Sequence, residues 1–437
     1  MPCRLLKVQS ADDPAALEFF RTLAGRHDPG DAVEAQTRAI LADVAARGDE
    51  AVIELTRHFD CPSFAAPLAV SQQELERAAS TIAPDELDVI AEAAAHIREF
   101  HQAEKERSWF MTRPDGTVLG QKVEAVERAG LYVPGGQGGN TPLISSLLMG
   151  AVPAQVAGVR EIAVASPPRE DGSLNPYILA AAYLLDITEV YRVGGPWAIA
   201  ALAQGTASIP AVDVIAGPGN IFVTTAKKLV QGKVGIDMLA GPSEILVLAD
   251  DGAQAEWIAA DLLSQAEHDK LASAICVTDC AHLADRVLAA LSRRLADLPR
   301  AEIASASLRD WGAIILVPSL QTGIDMANAI APEHMEVLTR DPWSIMPRVR
   351  HAGALFLGQH SAEAVGDYYA GPNHVLPTMG SARHASALGV QTFCKKTSII
   401  SATAAFTERH ASSIARLARL EGLEAHARSV ELRGPRV

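Results

Sequence analysis

The stretch EILVLADDGAQAEWIAADLLSQAEHDKLASAICVTD, residues 244–279, shows the pattern that decides the fold. A short apolar run at 244–250 is followed by a helix-like segment at 254–266 and by a second apolar run at 274–279. Alternation of this kind is typical of parallel strands joined by helices. The stretch therefore predicts an α/β fold.

The same alternation of short apolar runs and helix-like segments continues over most of the chain beyond about residue 130. Further strand-like runs lie at 161–166, 190–195, 212–217, 313–319 and 354–358. They are numerous enough to predict two parallel sheets. Ligands of such sheets bind at the carboxyl ends of strands. The turns GPGN (217–220) and GPSE (241–244), which end or precede strands, are therefore candidate site loops.

The two ends of the chain have a different, mainly helical pattern. Residues 32–48 place Val33, Ile40, Leu41 and Val44 on one helix face, and a second helix is predicted over 84–105. The tail from about residue 386 contains a helix-like stretch at 408–421. It is too short to form a large core, so we expect it to pack against this subunit or a partner.

Composition narrows the functional classes. The chain has 437 residues, enough for about three domains at roughly 150 residues each. Its formal net charge of -14 disfavours nucleic-acid binding, because acidic surfaces repel phosphates. No apolar run is long enough to predict a membrane span, and the polar start does not resemble a signal peptide. Five scattered cysteines predict no disulfide framework and favour a cytoplasmic location.

Two motifs carry candidate metal and acid–base groups. Gln265 and His268 are three residues apart, so they share a helix face and can both point at one metal ion. Glu333 and His334 are adjacent after Pro332, which favours a turn, and they suit a reaction with two proton-transfer steps. A polar surface turn and a solvated Glu-His pair are the alternatives that these motifs leave open.

Three further segments are candidates for ligand binding. Asp367 and His374 lie in GDYYAGPNHVLP, a loop punctuated by glycine and proline, while Glu421 and His426 lie near the C-terminus. The turn YVPGGQGGN, residues 132–140, precedes a helix-like stretch whose first amides can bind a phosphate. It has no GxGxxG sequence, so the usual dinucleotide fingerprint is absent.

In this order, the motifs resemble those of the histidinol dehydrogenases. The matching strings are YVPGG, GPGN, VGIDMLAGPSEILV, DLLSQAEHD, APEHMEV, GDYYAGPNHVLPT and EGLEAHA, and they extend over most of the chain. The resemblance implies an intertwined homodimer with two incomplete Rossmann-like domains and small helical terminal segments. It also implies zinc-dependent oxidation of L-histidinol to L-histidine through bound histidinaldehyde with two NAD⁺, the last step of histidine biosynthesis.

The resemblance also assigns roles to residues. It implies one zinc ion per subunit, with the ligands Gln265, His268, Asp367 and His426, the last from the other subunit. It implies an acid–base pair, Glu333 and His334. It implies substrate contacts from the four zinc ligands and from Ser243, His334, His374 and Glu421. It implies cofactor contacts from Tyr132 and Asn220. Where the family often has a glutamine near the cofactor, this chain has Trp197, which cannot make the same amide hydrogen bonds.

The predicted domain division follows these motifs. Residues 1–131 form a helical part and the start of a first α/β domain, and 132–242 form a second α/β domain on the cofactor side. Residues 243–385 complete the first domain with the zinc and acid–base residues, and 386–437 contribute to the partner's site.

Three other functions fit parts of the pattern. A related NAD-dependent enzyme could oxidise another small alcohol, such as a sulfonated propanediol, although Glu421 suits a cationic amine better than a sulfonate. A zinc hydrolase could use Glu333 to activate water. A purely structural zinc site is the third alternative, but the implied ligands include no cysteine, unlike most structural zinc sites.

Overall fold

The computed structural model describes residues 2–27, 30–65, 67–136 and 141–434. The chain folds into two compact units. The large unit consists of Met1–Glu104 and Glu127–Phe393, and the small unit consists of Lys105–Val126 and Cys394–Val437.

The elements of the N-terminal half include most of one sheet. In chain order they are β1 (Arg4–Lys7), α1 (Pro14–Ala24), α2 (Gly30–Arg47), α3 (Asp49–Phe59), α4 (Gln72–Thr81), α5 (Pro84–Ala103), β2 (Trp109–Thr112), β3 (Val118–Ala125), β4 (Arg128–Tyr132), α6 (Ile144–Ala157), β5 (Glu161–Ser166), α7 (Pro176–Leu184), β6 (Glu189–Arg192), α8 (Gly195–Gln204), β7 (Val214–Ala216) and α9 (Ile221–Val230).

The elements of the C-terminal half include most of a second sheet. They are β8 (Gly235–Ile236), β9 (Glu244–Ala249), α10 (Ala255–Ala266), β10 (Ser273–Thr278), α11 (Ala281–Leu295), α12 (Ala301–Trp311), β11 (Ala313–Leu316), α13 (Leu320–Ile330), β12 (His334–Leu338), α14 (Pro342–Ile345), β13 (Ala354–Leu357), α15 (Glu363–Tyr368), β14 (Cys394–Ser401), α16 (Ala404–Leu420) and α17 (Glu424–Glu431).

Two parallel sheets form the large unit, as the alternating pattern predicts. Sheet 1 has the order β1-β11-β10-β9-β12-β13, and sheet 2 has the order β6-β5-β4-β7-β8. The central strands β9 and β10 are buried along their whole length. Helices cover them on both faces, which explains why their sequences are continuously apolar rather than alternating.

The predicted N-terminal helix is confirmed as α2 and packs on sheet 2. Leu41 and Val44 are buried in the same core cluster as the apolar residues of α8 and α9. Val33 and Ile40 are half-buried at the edge of that face. The structure therefore places the predicted apolar stripe against the core.

The small unit contains strands that the sequence pattern does not reveal. An antiparallel sheet with the order β14-β3-β2 joins the tail to residues 105–126, and α16 packs on α17. All residues of β2 are exposed, and β3 contains no buried residue. Because neither strand has a buried face, their sequences lack a regular apolar alternation. Among the residues described, no helix has the length and apolar character required to cross a membrane.

Candidate active site

The acid–base candidates lie at the amino edge of sheet 1. Glu333 immediately precedes β12 and His334 begins it, while Ser243 immediately precedes the neighbouring strand β9. The sequence pattern predicted site residues at the carboxyl ends of strands, whereas these residues lie at the amino ends of β9 and β12. Helix α13 ends at Ile330, and the left-handed conformation of its C-cap Ala331 (φ 54°) turns the chain into the strand. Such a conformation is uncommon outside glycine and often marks a functional turn.

Helix α10 brings two further candidates to the same edge. Because a helix that connects parallel strands runs back across the sheet, its C-terminal end returns to the amino edge. Gln265 lies in the last turn of α10 and is fully buried, and His268 follows three residues later with an exposed side chain. The predicted i, i+3 pair thus consists of one buried and one accessible group.

Helix α15 adds two carboxylates at i and i+4, Glu363 and Asp367. The ligand atoms of His268, Glu363 and Asp367 lie within 4.8 Å of one another, close enough to hold one metal ion. In the orientation that satisfies its hydrogen bonds, the Gln265 amide donates to Glu363 at 2.8 Å. Sequence reasoning missed Glu363, although its helical spacing from Asp367 was a usable signal.

His334 is surrounded by acidic groups. Its Nδ1 lies 3.0 Å from the Glu244 carbonyl oxygen and 3.6 Å from carboxylate oxygens of both Glu333 and Glu363. Its Nε2 lies 3.5 Å from Asp367 and has no hydrogen-bond partner among the described residues. The ring is therefore held on one side and leaves a buried nitrogen facing the acidic cluster.

Glu333 belongs to a buried network that sequence reasoning missed. Its carboxylate accepts a hydrogen bond from the Glu244 amide at 2.8 Å. The Glu244 carboxylate accepts one from the Glu333 amide at 3.3 Å and forms an ion pair with Arg26. Arg26 also donates to the carbonyl oxygens of Leu23 and Leu271, both at 3.1 Å. The network fixes both the backbone and the side chain of Glu333.

These surroundings shift the pKa values of the acid–base pair. Burial raises the pKa of the Glu333 carboxyl to about 8. Burial alone would lower the pKa of His334, but the nearby carboxylates outweigh it and raise that pKa to about 10. Although Asp367 is partly buried, its contact with His334 holds the pKa of Asp367 below its ordinary value. Separated pKa values in one enclosed site are typical of acid–base catalysis.

The loop after α15 connects the site to the other half of the large unit. His374 Nδ1 lies 2.9 Å from the Asp367 carbonyl oxygen, and Asn373 donates to the Met149 carbonyl oxygen of α6 at 2.7 Å. A second link joins the Thr224 hydroxyl of α9 to the Ala240 carbonyl oxygen at 3.1 Å. The region before Ser243 thus contacts the helix that follows GPGN.

The candidate cofactor residues lie at the carboxyl edge of sheet 2. Tyr132 ends β4, and Asn220 caps α9 by accepting hydrogen bonds from the amides of Phe222 and Val223, both at 3.1 Å. Gly217 approaches Tyr132 so closely that a Cβ would lie 2.1 Å from the Tyr132 carbonyl oxygen. Only glycine fits there. Residues 137–140 of the predicted glycine-rich turn lie outside the described residues.

Comparisons with known proteins agree with this geometry. The family model described as histidinol dehydrogenase matches residues 25–434. A histidinol dehydrogenase from Nitratidesulfovibrio vulgaris is 62% identical over 434 residues, covering 99% of each chain. One from Bacillus subtilis is 50% identical over 433 residues, covering 99% of this chain and 100% of the other.

The chain belongs to the histidinol dehydrogenase family. It is therefore an oxidoreductase by family. The crystal structure of the histidinol dehydrogenase from Elizabethkingia anophelis has a TM-score of 0.90 to this chain at 34% identity, covering 99% of this chain and 98% of that one. The shared fold confirms the predicted α/β class with parallel sheets.

Trp197, the departure from the family pattern, is a core residue. It lies in the first turn of α8, is 4% exposed, and donates from Nε1 to the Thr56 hydroxyl at 3.2 Å. Its ring stacks on Phe59 at a centroid distance of 5.3 Å and an angle of 22°. The indole N–H is thus used inside the protein, and the half-exposed Phe59 ring is the surface above it.

Two predicted site residues belong to the small unit. Glu421 caps the C-terminal end of α16, and His426 lies in α17; both side chains are exposed. The cluster of His268, Glu363 and Asp367 consists of residues of the large unit. Their roles as substrate contact and zinc ligand remain predictions.

Proposed function

We propose that this chain oxidises L-histidinol to L-histidine in two NAD⁺-linked steps through a bound aldehyde. The observation that carries the proposal is the buried Glu333–His334 pair beside the His268, Glu363 and Asp367 cluster, in a chain of this family. Each oxidation releases a proton and a hydride, and the pair supplies two acid–base groups at one edge of the sheet.

The residues present fit a zinc ion. Imidazole, amide and carboxylate groups converge, and the buried Nε2 of His334 faces the same cluster. We assign the ligands Gln265, His268, Asp367 and His426, and the geometry adds Glu363 as a further group beside them. When bound, zinc supplies a positive template for the imidazole and amine of histidinol.

His334 is suited to take the proton of the alcohol. Its ring is fixed through Nδ1 by the Glu244 carbonyl oxygen, so Nε2 is the atom that faces the cluster. The negative charges of Glu363 and Asp367 raise the pKa of His334. Neutralising these two charges lowers the pKa of His334 toward neutrality, where the imidazole can act as a base. Glu333, once deprotonated, is suited to activate water against the aldehyde.

The carboxyl edge of sheet 2 is suited to NAD⁺. It offers Tyr132, the Gly217 turn and the capped N-terminus of α9, where amides and the helix dipole favour phosphate. The links from α6 and α9 to the site loops connect this edge to the substrate side. The assigned contacts are Tyr132 and Asn220.

A cytoplasmic homodimer completes the proposal. The small unit exposes apolar side chains on β2, on α16 and directly after α17, namely Trp109, Phe110, Leu417, Leu420 and Leu432. Such exposure within a small unit favours burial against another chain. In this arrangement Glu421 and His426 come from a second copy, while Ser243 and His374 contact substrate from the large unit. All five cysteines are free, which fits a reducing compartment.

A steady-state assay with L-histidinol and NAD⁺ tests the function. We expect two NADH per histidinol consumed and histidine as the identified product. His334→Asn should lose this activity, whereas His282→Asn, at an exposed position of α11, should keep it. Turnover of an anionic diol in place of histidinol, or hydrolysis without NADH, would instead support one of the alternative functions.

A further inference from the structure

A buried ion pair adjoins the GPGN turn and lies outside all the roles assigned above. Lys227 lies on α9, and Asp237 directly follows β8. The Lys227 ammonium is paired with Oδ1 of Asp237, and the two side chains are exposed by only 2% and 0%. Buried charges are costly unless they are paired and hydrogen-bonded, so the further contacts of this pair indicate what it holds in place.

Both members of the pair bind the backbone of Gly217, the first residue of the turn. Oδ2 of Asp237 accepts a hydrogen bond from the Gly217 amide at 2.8 Å. Nζ of Lys227 donates to the Gly217 carbonyl oxygen, also at 2.8 Å. The three residues thus form a closed ring of contacts. Gly217 has a φ of 122°, a conformation that favours glycine, and the ring holds the chain in it.

The ring also ties helix α9 to the turn that precedes it. Lys227 follows Asn220, the N-cap of α9, by about two helical turns. The Asp237 amide donates to the Ile215 carbonyl oxygen of β7 at 3.2 Å. The end of β7, the turn and the body of α9 are therefore held together by one pair of side chains, and the N-terminal amides of α9 lie where this arrangement puts them.

We infer that Lys227 and Asp237 are positioning residues for NAD⁺, because they hold the Gly217 backbone and so place the N-terminal amides of α9 for a cofactor phosphate. The inference rests on the proposed cofactor site at the carboxyl edge of sheet 2. A pair that served stability alone would behave differently. Buried ion pairs can often be replaced by apolar side chains of similar volume with little loss of stability, but such a replacement removes both contacts with Gly217.

The test uses double variants that carry no unpaired charge. Lys227→Met with Asp237→Leu makes the pair apolar and removes both contacts with Gly217. Lys227→Met with Asp237→Asn keeps an oxygen that can accept the Gly217 amide. The control is Arg128→Met with Glu189→Gln, which removes an ion pair between the first residues of β4 and β6, at the opposite edge of the same sheet.

NAD⁺ affinity is measured for each full-length protein by calorimetric titration, and amide exchange across residues 219–224 is measured without ligand. We expect the Leu double variant to bind NAD⁺ at least about tenfold more weakly and to exchange these amides faster, because a site that is no longer held in place must be ordered on binding. The Asn double variant should lie between it and the unsubstituted protein. The control should match the unsubstituted protein in both measurements.

A folded Leu double variant with unchanged affinity and exchange would overturn the inference, as would a control variant that binds NAD⁺ equally weakly. If the Leu double variant does not fold, the Asn double variant decides, and it must then bind NAD⁺ more weakly than the control. In steady state, the KM for NAD⁺ should rise while the KM for histidinol is kept; a fall in kcat alone would contradict the role. If the unsubstituted protein binds no NAD⁺, the cofactor proposal fails, and exchange across 219–224 still decides whether the pair positions these amides.

Discussion

Glu333 and Glu244 exchange hydrogen bonds in both directions: the Glu244 amide donates to the Glu333 carboxylate, and the Glu333 amide donates to the Glu244 carboxylate. Two acidic side chains are thus packed together inside the protein, and Arg26 is the cation beside them. The ion pair is buried on both sides, with side chains exposed by 1% and 6%. Arg26, from the N-terminal segment, therefore supports the site from behind.

Removing Arg26 should destabilise the protein more than an ordinary substitution. Arg26→Gln leaves the buried Glu244 without its cation, and breaking a buried pair typically costs about 3–5 kcal/mol. The free energy of unfolding of Arg26→Gln, measured by chemical denaturation, should be lower than that of the unsubstituted protein by about this amount. The double variant Arg26→Gln, Glu244→Gln should recover part of the loss, because it contains no unpaired charge. An equal loss in both would show that charge pairing is not the cause.

The sequence predicts the fold better than the site. Continuous apolar runs such as those of β9 and β10 are a local signal, so the strands and the connecting helices are readable from the chain. Arg26 and Glu244 are separated by 218 positions, and no local pattern links them. The amino-edge location of Glu333 depends on the direction in which α13 enters β12, which periodicity does not encode. Glu363 was missed because it precedes the glycine-rich motif that marked Asp367.

Stability without metal should depend on Glu333 through pH. Its ordinary pKa is 4.5 and its folded pKa is about 8, so between these values the folded protein holds a proton that the unfolded chain has released. Stability should therefore fall as pH rises through this window. In Glu333→Gln this contribution is absent, so the slope of unfolding free energy against pH should be smaller. Glu302→Gln, at an exposed side chain, is the control; identical slopes for all three proteins would contradict the assignment.

Activity should require the bound metal. Exhaustive chelation should abolish histidinol oxidation, and added zinc should restore it, because His268, Glu363 and Asp367 lose their shared charge partner. Metal loss should be faster in acid, since protons compete for the ligands. Metal content and circular dichroism are measured beside activity. Full turnover by a folded, verified metal-free preparation would count against the zinc proposal.

Two inactive variants should restore activity in mixed dimers. If His426 reaches the site of a second copy, His426→Ala and His334→Ala chains together rebuild one intact site in each mixed dimer. Random exchange should then regenerate about a quarter of the sites. Each variant mixed with itself is the control. Demonstrably mixed dimers with no recovered activity would mean that the site is not shared.

Glu333 and His334 should divide the two oxidations between them. The first step needs a base for the alcohol proton, and the Nε2 of His334 faces the cluster while Nδ1 is held by the Glu244 carbonyl oxygen. The second step needs water activated against the aldehyde, which the Glu333 carboxylate can do. Glu333→Gln keeps size and hydrogen bonding but removes basicity.

We therefore expect Glu333→Gln to slow aldehyde oxidation more than alcohol oxidation, by about 10²–10⁴-fold, the usual range for loss of general acid–base catalysis. His334→Asn should slow the alcohol step more, or slow both. Each variant is assayed separately with histidinol and with histidinaldehyde, and its zinc content is checked. If Glu333→Gln slows both half-reactions equally while zinc stays bound, Glu333 acts throughout by orienting His334 or the substrate, because its contact with the Glu244 amide would then be the feature that matters.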